Sequence, residues 1–494
     1  MKKHLIHIDA TAGWGKTTAI ERDIMKYAEF SFLWAPDRAL YLVFTRRNAE
    51  SARKRLSGYV RPENIRTLHS LCYSFLPEKK PVMDGKLLEE FAREYRYRGF
   101  SSGMFFTPRT KEDRMLALYY YVRNTGTEPF GKDFFLFKRT YLKEHGISES
   151  ELRTFFGRWV SFKKEKNAID YADILEMSRP SFSGIYVAVD EAQDLTPLMW
   201  KALEKLIGNS PNLRRLVIVG DCDQSIYEFQ GADPLYFLNY PQILASKYNF
   251  TYHKWNTRHI SRRVPSKPLG FALGFLKPVK YRDHTKEILP AREGGEVLVM
   301  RRNDFLELAV RSFFEGRIVV IQERHRHELV WWAEKLGRNG IPYCYGYDEY
   351  YFRFKAYQML LEGKKPHLNL WRVFKDSVLG SNSYDEYLRE REQIYEAWKQ
   401  HRERWIDAVR DQNLRNFLKN PYGLIILSTM HSQKGEEGDV VWVSGKWTKK
   451  IKPTDNERKL YFTACTRTKD ILVLDRENLK NILSLQSTKN AQLL

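Results

Sequence analysis

Cysteine is scarce. There are four in 494 residues, Cys72, Cys222, Cys344 and Cys465, and no two form a CxxC pair. That spacing suggests neither a disulfide framework nor a thiolate zinc site, and it reads as an intracellular chain. No apolar run approaches the roughly 18 residues that a membrane-spanning helix needs, so no membrane partner is expected. The opening MKKHLIHIDA is basic but turns polar too soon for a secretory signal. Internal repeats and low-complexity stretches are also missing, which argues against a solenoid or a linker-rich chain. Acidic residues are the other shortage. Against 82 Lys+Arg stand 61 Asp+Glu, a net charge of +21. Such an excess repels itself unless a polyanion offsets it, so nucleic acid is the leading partner.

What is present suits a large, well-packed protein. At about 100–200 residues per domain, two to four domains are expected. Hydrophobic residues make up 43% and aromatics 14%, enough for their cores. Near the start stands DATAGWGKTT, residues 9–18. HLIHIDA suits a short buried strand, and KTTAIERDIMKYAEF carries apolar residues at helical spacing. Gly13 and Gly15 therefore lie between a strand and a helix, the setting of a phosphate-binding loop. Freed backbone N–H groups and the helix N-terminus can wrap phosphate oxygens. Ala12, Gly13, Trp14, Gly15 and Thr18 form the cradle around Lys16, which would reach the β and γ phosphates, and Thr17, which would ligate Mg²⁺. Two features are irregular. Ala10 stands where the strict pattern has glycine, and Trp14 is wedged between two glycines. An ordinary glycine-rich turn is the alternative, so the reading needs support elsewhere.

GIYVAVDEAQDLT (184–196) supplies it: a β-branched strand of the parallel-sheet kind, with Asp190 and Glu191 at its C-terminal tip, where ligands bind in open α/β sheets. One carboxylate can hold Mg²⁺ and the next can polarise an attacking water. RRLVIVGDCDQSIYEFQGAD (214–233) repeats the pattern. Gln224 could sense a γ-phosphate. Tyr227 and Phe229 could stack on bases, with core packing as the alternative.

Taken together, ATAGWGKT, DEAQD and GDCDQSIYEFQGA resemble motifs I, II and III of superfamily 1 helicases of the UvrD/Rep/PcrA type. That group tolerates alanine at the loop's first position. The likeness continues in order: YLVFTRRNAESARKRL (41–56) is similar to motif Ia, IRTLHSLCYSFL (65–76) to motif Ib, and DYADIL (170–175) to the segment preceding motif II. NTRHI (256–260) resembles a degenerate motif IV, STMHSQKGEEGDVVWV (428–443) motif V, and ERKLYFTACTRTKD (457–470) motif VI.

The resemblance implies an α/β fold with two RecA-like parallel-sheet motor domains and helical insertions. It implies ATP and Mg²⁺ as cofactors, Thr17 and Asp190 as metal ligands, Glu191 as catalytic base and Gln224 on the γ-phosphate. Arg258 and Arg467 would be arginine fingers at the cleft between the motor domains, and Glu437 would lie near the ribose. Phe44, Tyr227 and Phe229 would form base pockets. Thr45, Thr67, His69, Thr429 and His431 would contact the nucleic-acid backbone or couple the sites. Read without the family, the two histidines would be ordinary polar residues. The implied activity is ATP-driven 3′→5′ translocation on single-stranded DNA with duplex unwinding, by a cytoplasmic monomer. That compartment is the nucleoid, or a host's cytoplasm if the source is viral. The expected partners are single-stranded DNA, DNA junctions and a loading or processivity protein. The alternative is an ATPase that remodels a partner without unwinding. A helicase–nuclease is disfavoured, since no acidic cluster follows motif VI.

Departures from the family are local. No glutamine motif precedes the loop, Thr18 and Thr257 replace a basic residue and a stacking tyrosine, Gln230 replaces an arginine, and Thr468 replaces an alanine. Motif spacing assigns 1–80 and 178–266 to the first motor domain and 81–177 to an aromatic, basic insertion. It assigns 267–355 and 421–494 to the second motor domain. The remaining segment, 356–420, is a helical insertion much shorter than the family's subdomain 2B.

Overall fold

The computed structural model describes residues 2–44, 49, 52–53, 55–100, 110–255, 259–346, 400, 403, 407, 415, 423–434, 437–446 and 453–486. Thr45 and Arg258 lie outside the described residues, as does the 356–420 segment apart from isolated positions. The chain forms two compact units. One holds Met1–Ser261 with Val279–Leu289, the other Arg262–Pro278 with Pro290–Leu494.

In the first unit, six strands form one sheet. They are β1 (Lys3–Asp9), β2 (Ala39–Val43), β3 (Ile65–Thr67), β4 (Tyr186–Val189), β5 (Arg215–Gly220) and β6 (Phe250–Trp255), in the order β3-β2-β4-β5-β1-β6. Every pairing in it is parallel. A parallel sheet must be covered on both faces, and β2 and β4 are buried along their whole length. Side chains alternate between the two faces. Leu216 and Ile218 pack into a core with Phe91, Tyr119, Phe155 and Trp159, whereas Val217 and Val219 pack with Ile20, Ile24 and Tyr41.

The aromatic, basic stretch after residue 81 supplies much of that first core as helices Gly85–Glu94, Lys111–Thr125, Lys132–Glu144 and Glu149–Glu165. Capping boxes at Thr110/Asp113 and Ser148/Glu151 set where two of them start.

Strand register decides where chemistry can occur. Asp9 pairs with Gly220, and Val189 pairs with Ile218. The C-terminal ends of β1, β4 and β5 therefore lie side by side, and Asp9, Asp190 and Asp221 share one sheet edge. Two short strands, β7 (His259–Ser261) and β8 (Ile288–Pro290), pair outside the sheet.

The second unit repeats the plan. Its sheet holds β9 (Glu296–Met300), β10 (Ile318–Glu323), β11 (Cys344–Tyr345), β12 (Leu424–Thr429), β13 (Gly438–Val443) and β14 (Thr468–Asp475). Their order is β11-β12-β10-β13-β14-β9, again all parallel. Phe305, Trp332 and Trp442 pack on one another at its centre. Two parallel sheets flanked by helices form the expected α/β, RecA-like architecture. No helix among the described residues is long and apolar enough to cross a membrane.

One segment packs away from its sequence neighbours. Motif spacing places 267–355 in the second motor domain, but Val279–Leu289 packs with the first unit. Its cations Arg282 and Lys286 meet buried carboxylates there. Conversely, residues 262–266 belong with the second unit.

Candidate functional site

The phosphate loop owes its shape to its glycines. Gly13 and Gly15 have φ of 72° and 98°, a region that side chains make costly. Gly15 is the N-cap of helix Lys16–Phe30, and no side chain caps that helix. The first-turn N–H groups therefore face a ligand position with the positive end of the helix dipole.

Thr17 Oγ1 donates to Asp190 Oδ2 at 3.0 Å, and the buried Tyr41 hydroxyl donates to the same oxygen at 2.9 Å. Burial pushes the Asp190 carboxyl up to about 6, the Glu191 charge adds to this, and Tyr41, Lys16 and Thr17 resist it. Glu191 has φ 53°, a left-handed conformation that costs a non-glycine residue about 1–3 kcal/mol and clusters at functional positions. Its Oε2 accepts from Gln193 Nε2 at 2.6 Å. Lys16 Nζ lies 3.9 Å from Asp221 Oδ2, and Gln224 donates to that same oxygen. Lys16, Thr17, Asp190, Glu191 and Gln224 thus gather at one edge of the first sheet. The Thr17 hydroxyl and Asp190 carboxylate form the all-oxygen donor pair that suits Mg²⁺ when phosphates supply further ligands.

An aromatic face flanks the loop. The rings of Trp14 and Trp255 are 5.9 Å apart and nearly perpendicular, and Trp14 and His259 are 6.2 Å apart. Trp255 is exposed, while His259 is buried with Nδ1 lacking a hydrogen-bond partner.

On the other side of Asp190 lies a cavity of about 770 Å³, whose lining includes Phe44, Thr67, His69, Tyr171, Phe229 and Asp190. Phe44 stacks on Tyr227 with centroids 5.6 Å apart, and Phe229 meets Tyr227 edge-on at 6.0 Å. Phe44 and Phe229 line the cavity, whereas Tyr227 is buried behind them. Thr67 caps helix Leu68–Ser74 by accepting from the Ser70 N–H. His69 packs edge-on against Tyr171, and burial pushes its imidazole down to about 4.

In the second unit, Thr429 ends β12 and shares a 2.8 Å hydrogen bond with Ser432. His431 is pushed down to about 3 by burial and then by Arg324. Glu437 is engaged by Arg263 and by Lys469 at 2.7 Å, and the two cations outweigh burial to lower its carboxyl pKa. Arg467 is buried, with Nε donating to the Thr463 carbonyl at 2.9 Å.

Sequence reasoning missed several members of this edge. Tyr41 sits inside a run that reads only as strand. Asp221 lies in the GDCDQ stretch, where Gln224 draws the attention. Gln193, whose amide joins Glu191 to the Asp221 backbone N–H, stands in DEAQD without a distinguishing signal.

Buried titratable groups predict how the first unit responds to acid. Burial, and then Lys254, pushes His7 down to about 3, and burial, and then Lys286, pushes His259 down to about 4. Both lie below the ordinary 6.5, so the unfolded chain takes up these protons first. Their stabilising contribution is complete above pH 6.5 and is lost as pH falls toward 4, at up to about 1.4 kcal/mol per pH unit for each. Asp190, raised to about 6, has the opposite sign over roughly the same range. We expect the thermal midpoint to fall between pH 7 and pH 5, and to fall less in His7→Phe. A midpoint independent of pH over that range would contradict the assignment.

Comparison with known proteins agrees with this geometry. Residues 2–243 match the model of the UvrD/REP helicase N-terminal domain. The chain is 24% identical to a probable DNA helicase II homolog of Mycoplasma capricolum over 60% of this chain and 42% of that protein. It is 22% identical to F-box DNA helicase 1 of Gallus gallus, over 97% of this chain and 48% of that protein. With the ATP-dependent DNA helicase PcrA of Leuconostoc citreum it shares 24% identity over 53% of this chain and 38% of the relative. The chain thus spans less than half the length of these relatives. The family match covers strands β1 to β5 of the first sheet with the glycine loop, Asp190–Glu191 and Gln224, and the chain belongs to the UvrD/Rep-type superfamily 1 helicases.

Proposed function

We propose that the chain is an ATP-dependent DNA helicase that moves 3′→5′ on single-stranded DNA. The observation that carries this reading is a single sheet edge. It holds Thr17 on Asp190 and Lys16 beside Gln224, and Asp190 also lines a cavity bearing Phe44 and Phe229. Phosphate chemistry and a base-stacking surface therefore share β2 and β4.

In this reading the loop N–H groups and Lys16 bind the triphosphate. Thr17 and Asp190 would hold Mg²⁺, which neutralises phosphate charge. Glu191 orients the attacking water and accepts its proton, and its strained backbone holds the carboxylate beside Gln193. Gln224 contacts the γ-phosphate. Arg258, Arg467 and Glu437 keep the roles that the resemblance implies. Phe44 and Phe229 stack bases, at about 1–3 kcal/mol each, with Tyr227 as the wall behind them. The charge of +21 holds the DNA backbone.

A strand-displacement assay with 3′-tailed and 5′-tailed duplexes tests the activity. Unwinding that needs ATP and the 3′ tail is the expected result. DNA-stimulated hydrolysis without displacement on either substrate would favour the remodelling switch instead, and a 5′ requirement would overturn the polarity.

The nucleobase site yields a second expectation. Trp14 and Trp255 offer faces and edges to a purine, and a stacking face takes adenine and guanine alike. Strong discrimination needs polar groups that the wrong base leaves unpaired. GTP and dATP should therefore support hydrolysis at rates near that of ATP. A kcat/KM ratio of ATP over GTP above about 100-fold, or ~2.7 kcal/mol, would reveal an adenine-reading group instead.

A further inference from the structure

The segment Val279–Leu289 brings two cations into the first unit that no motif anticipates. Lys286 has a side chain only 1% exposed, with Nζ 2.8 Å from Asp9 Oδ1, 2.8 Å from Asp221 Oδ1 and 3.3 Å from Asp223 Oδ2. Arg282 binds Asp223 bidentately, Nε to Oδ1 at 2.8 Å and Nη2 to Oδ2 at 3.0 Å. The Cys222 N–H and thiol each donate to Asp9 at 2.9 Å. Three buried carboxylates thus meet one buried cation, Lys286, and one part-buried cation, Arg282. Among the described residues, the third cation within ion-pair reach is Lys16, 3.9 Å from Asp221 Oδ2.

Asp221 is the junction. Its Oδ1 faces Lys286 and accepts the Asp223 N–H at 3.1 Å, while its Oδ2 faces Lys16 and accepts from Gln224. A carboxylate shares its charge between two oxygens. Charge neutralised by Lys286 at one oxygen no longer holds Lys16 at the other, and in so buried a site that competition is strong. Lys16 must be free to lean toward a phosphate.

We propose that Lys286 is a positioning residue for the nucleotide site. It acts through Asp221, loosening the hold of that carboxylate on Lys16 and keeping Gln224 aimed. This rests on the reading of the loop as a nucleotide site. Lys286 itself touches no substrate.

The test is equilibrium binding of a fluorescent N-methylanthraniloyl ATP with Mg²⁺ to the full chain, with thermal stability measured alongside. Lys286→Gln should lose at least about tenfold in affinity, the scale of one hydrogen bond to a charged group, and Lys286→Arg should retain it. Two charge-balanced double variants separate positioning from simple structural support. Asp221→Asn/Lys286→Gln should recover most of the lost affinity, because Lys16 is no longer held. Asp9→Asn/Lys286→Gln should recover stability but not affinity. If the single glutamine variant does not fold, the two doubles carry the test by their difference. Lys286→Gln binding within about twofold of wild type, or doubles that bind alike, would overturn the proposal. A wild-type chain that binds no nucleotide would overturn the site reading and this inference with it.

Discussion

Crowding of negative charge at one end of a parallel sheet is the constraint to which the first unit answers. Parallel strands all end at the same edge, so β1, β4 and β5 deliver Asp9, Asp190 and Asp221 together into a buried region. An isolated carboxylate there would be protonated or would destabilise the fold. Each instead has donors. Asp9 has Cys222 and Lys286, Asp190 has Thr17 and Tyr41, and Asp221 has Lys286, Gln224 and, more distantly, Lys16. The fold spends a whole segment, Val279–Leu289, on supplying cations to this edge.

The same constraint bears on the triphosphate site proposed at this edge. Lys16 and the loop N–H groups are positive elements held next to carboxylates that are already largely satisfied. A polyanion can recruit them without leaving bare charge behind. Glu191, strained and tethered by Gln193, adds the carboxylate proposed to accept the proton of the attacking water. Asp190 belongs to two environments at once, the phosphate loop through Thr17 and the aromatic cavity through its place beside Val189 and Phe44.

Much of this was legible in the sequence, for definite reasons. Several central strands are continuous apolar runs such as RLVIV and LIILS, and their acidic or polar tips follow immediately. The glycines of the loop show themselves because only they adopt its φ values cheaply. Trp14, an oddity on paper, has a partner in Trp255 that no local pattern connects to it. Lys286 and Arg282 were illegible, since each is an ordinary basic residue in YRDHTKE and their significance arises from partners far away in the chain. Tyr41 was hidden by its strand, where an aromatic reads as packing rather than as a donor to Asp190.

The central claim is that this edge hydrolyses nucleoside triphosphates with Glu191 handling the attacking water. Steady-state ATP hydrolysis on single-stranded DNA by Glu191→Gln, with bound nucleotide measured in parallel, tests it most directly. Turnover should fall by at least about 10²-fold, the contribution of a positioned general base, while ATP remains bound. A variant that hydrolyses ATP at nearly the wild-type rate would contradict the account.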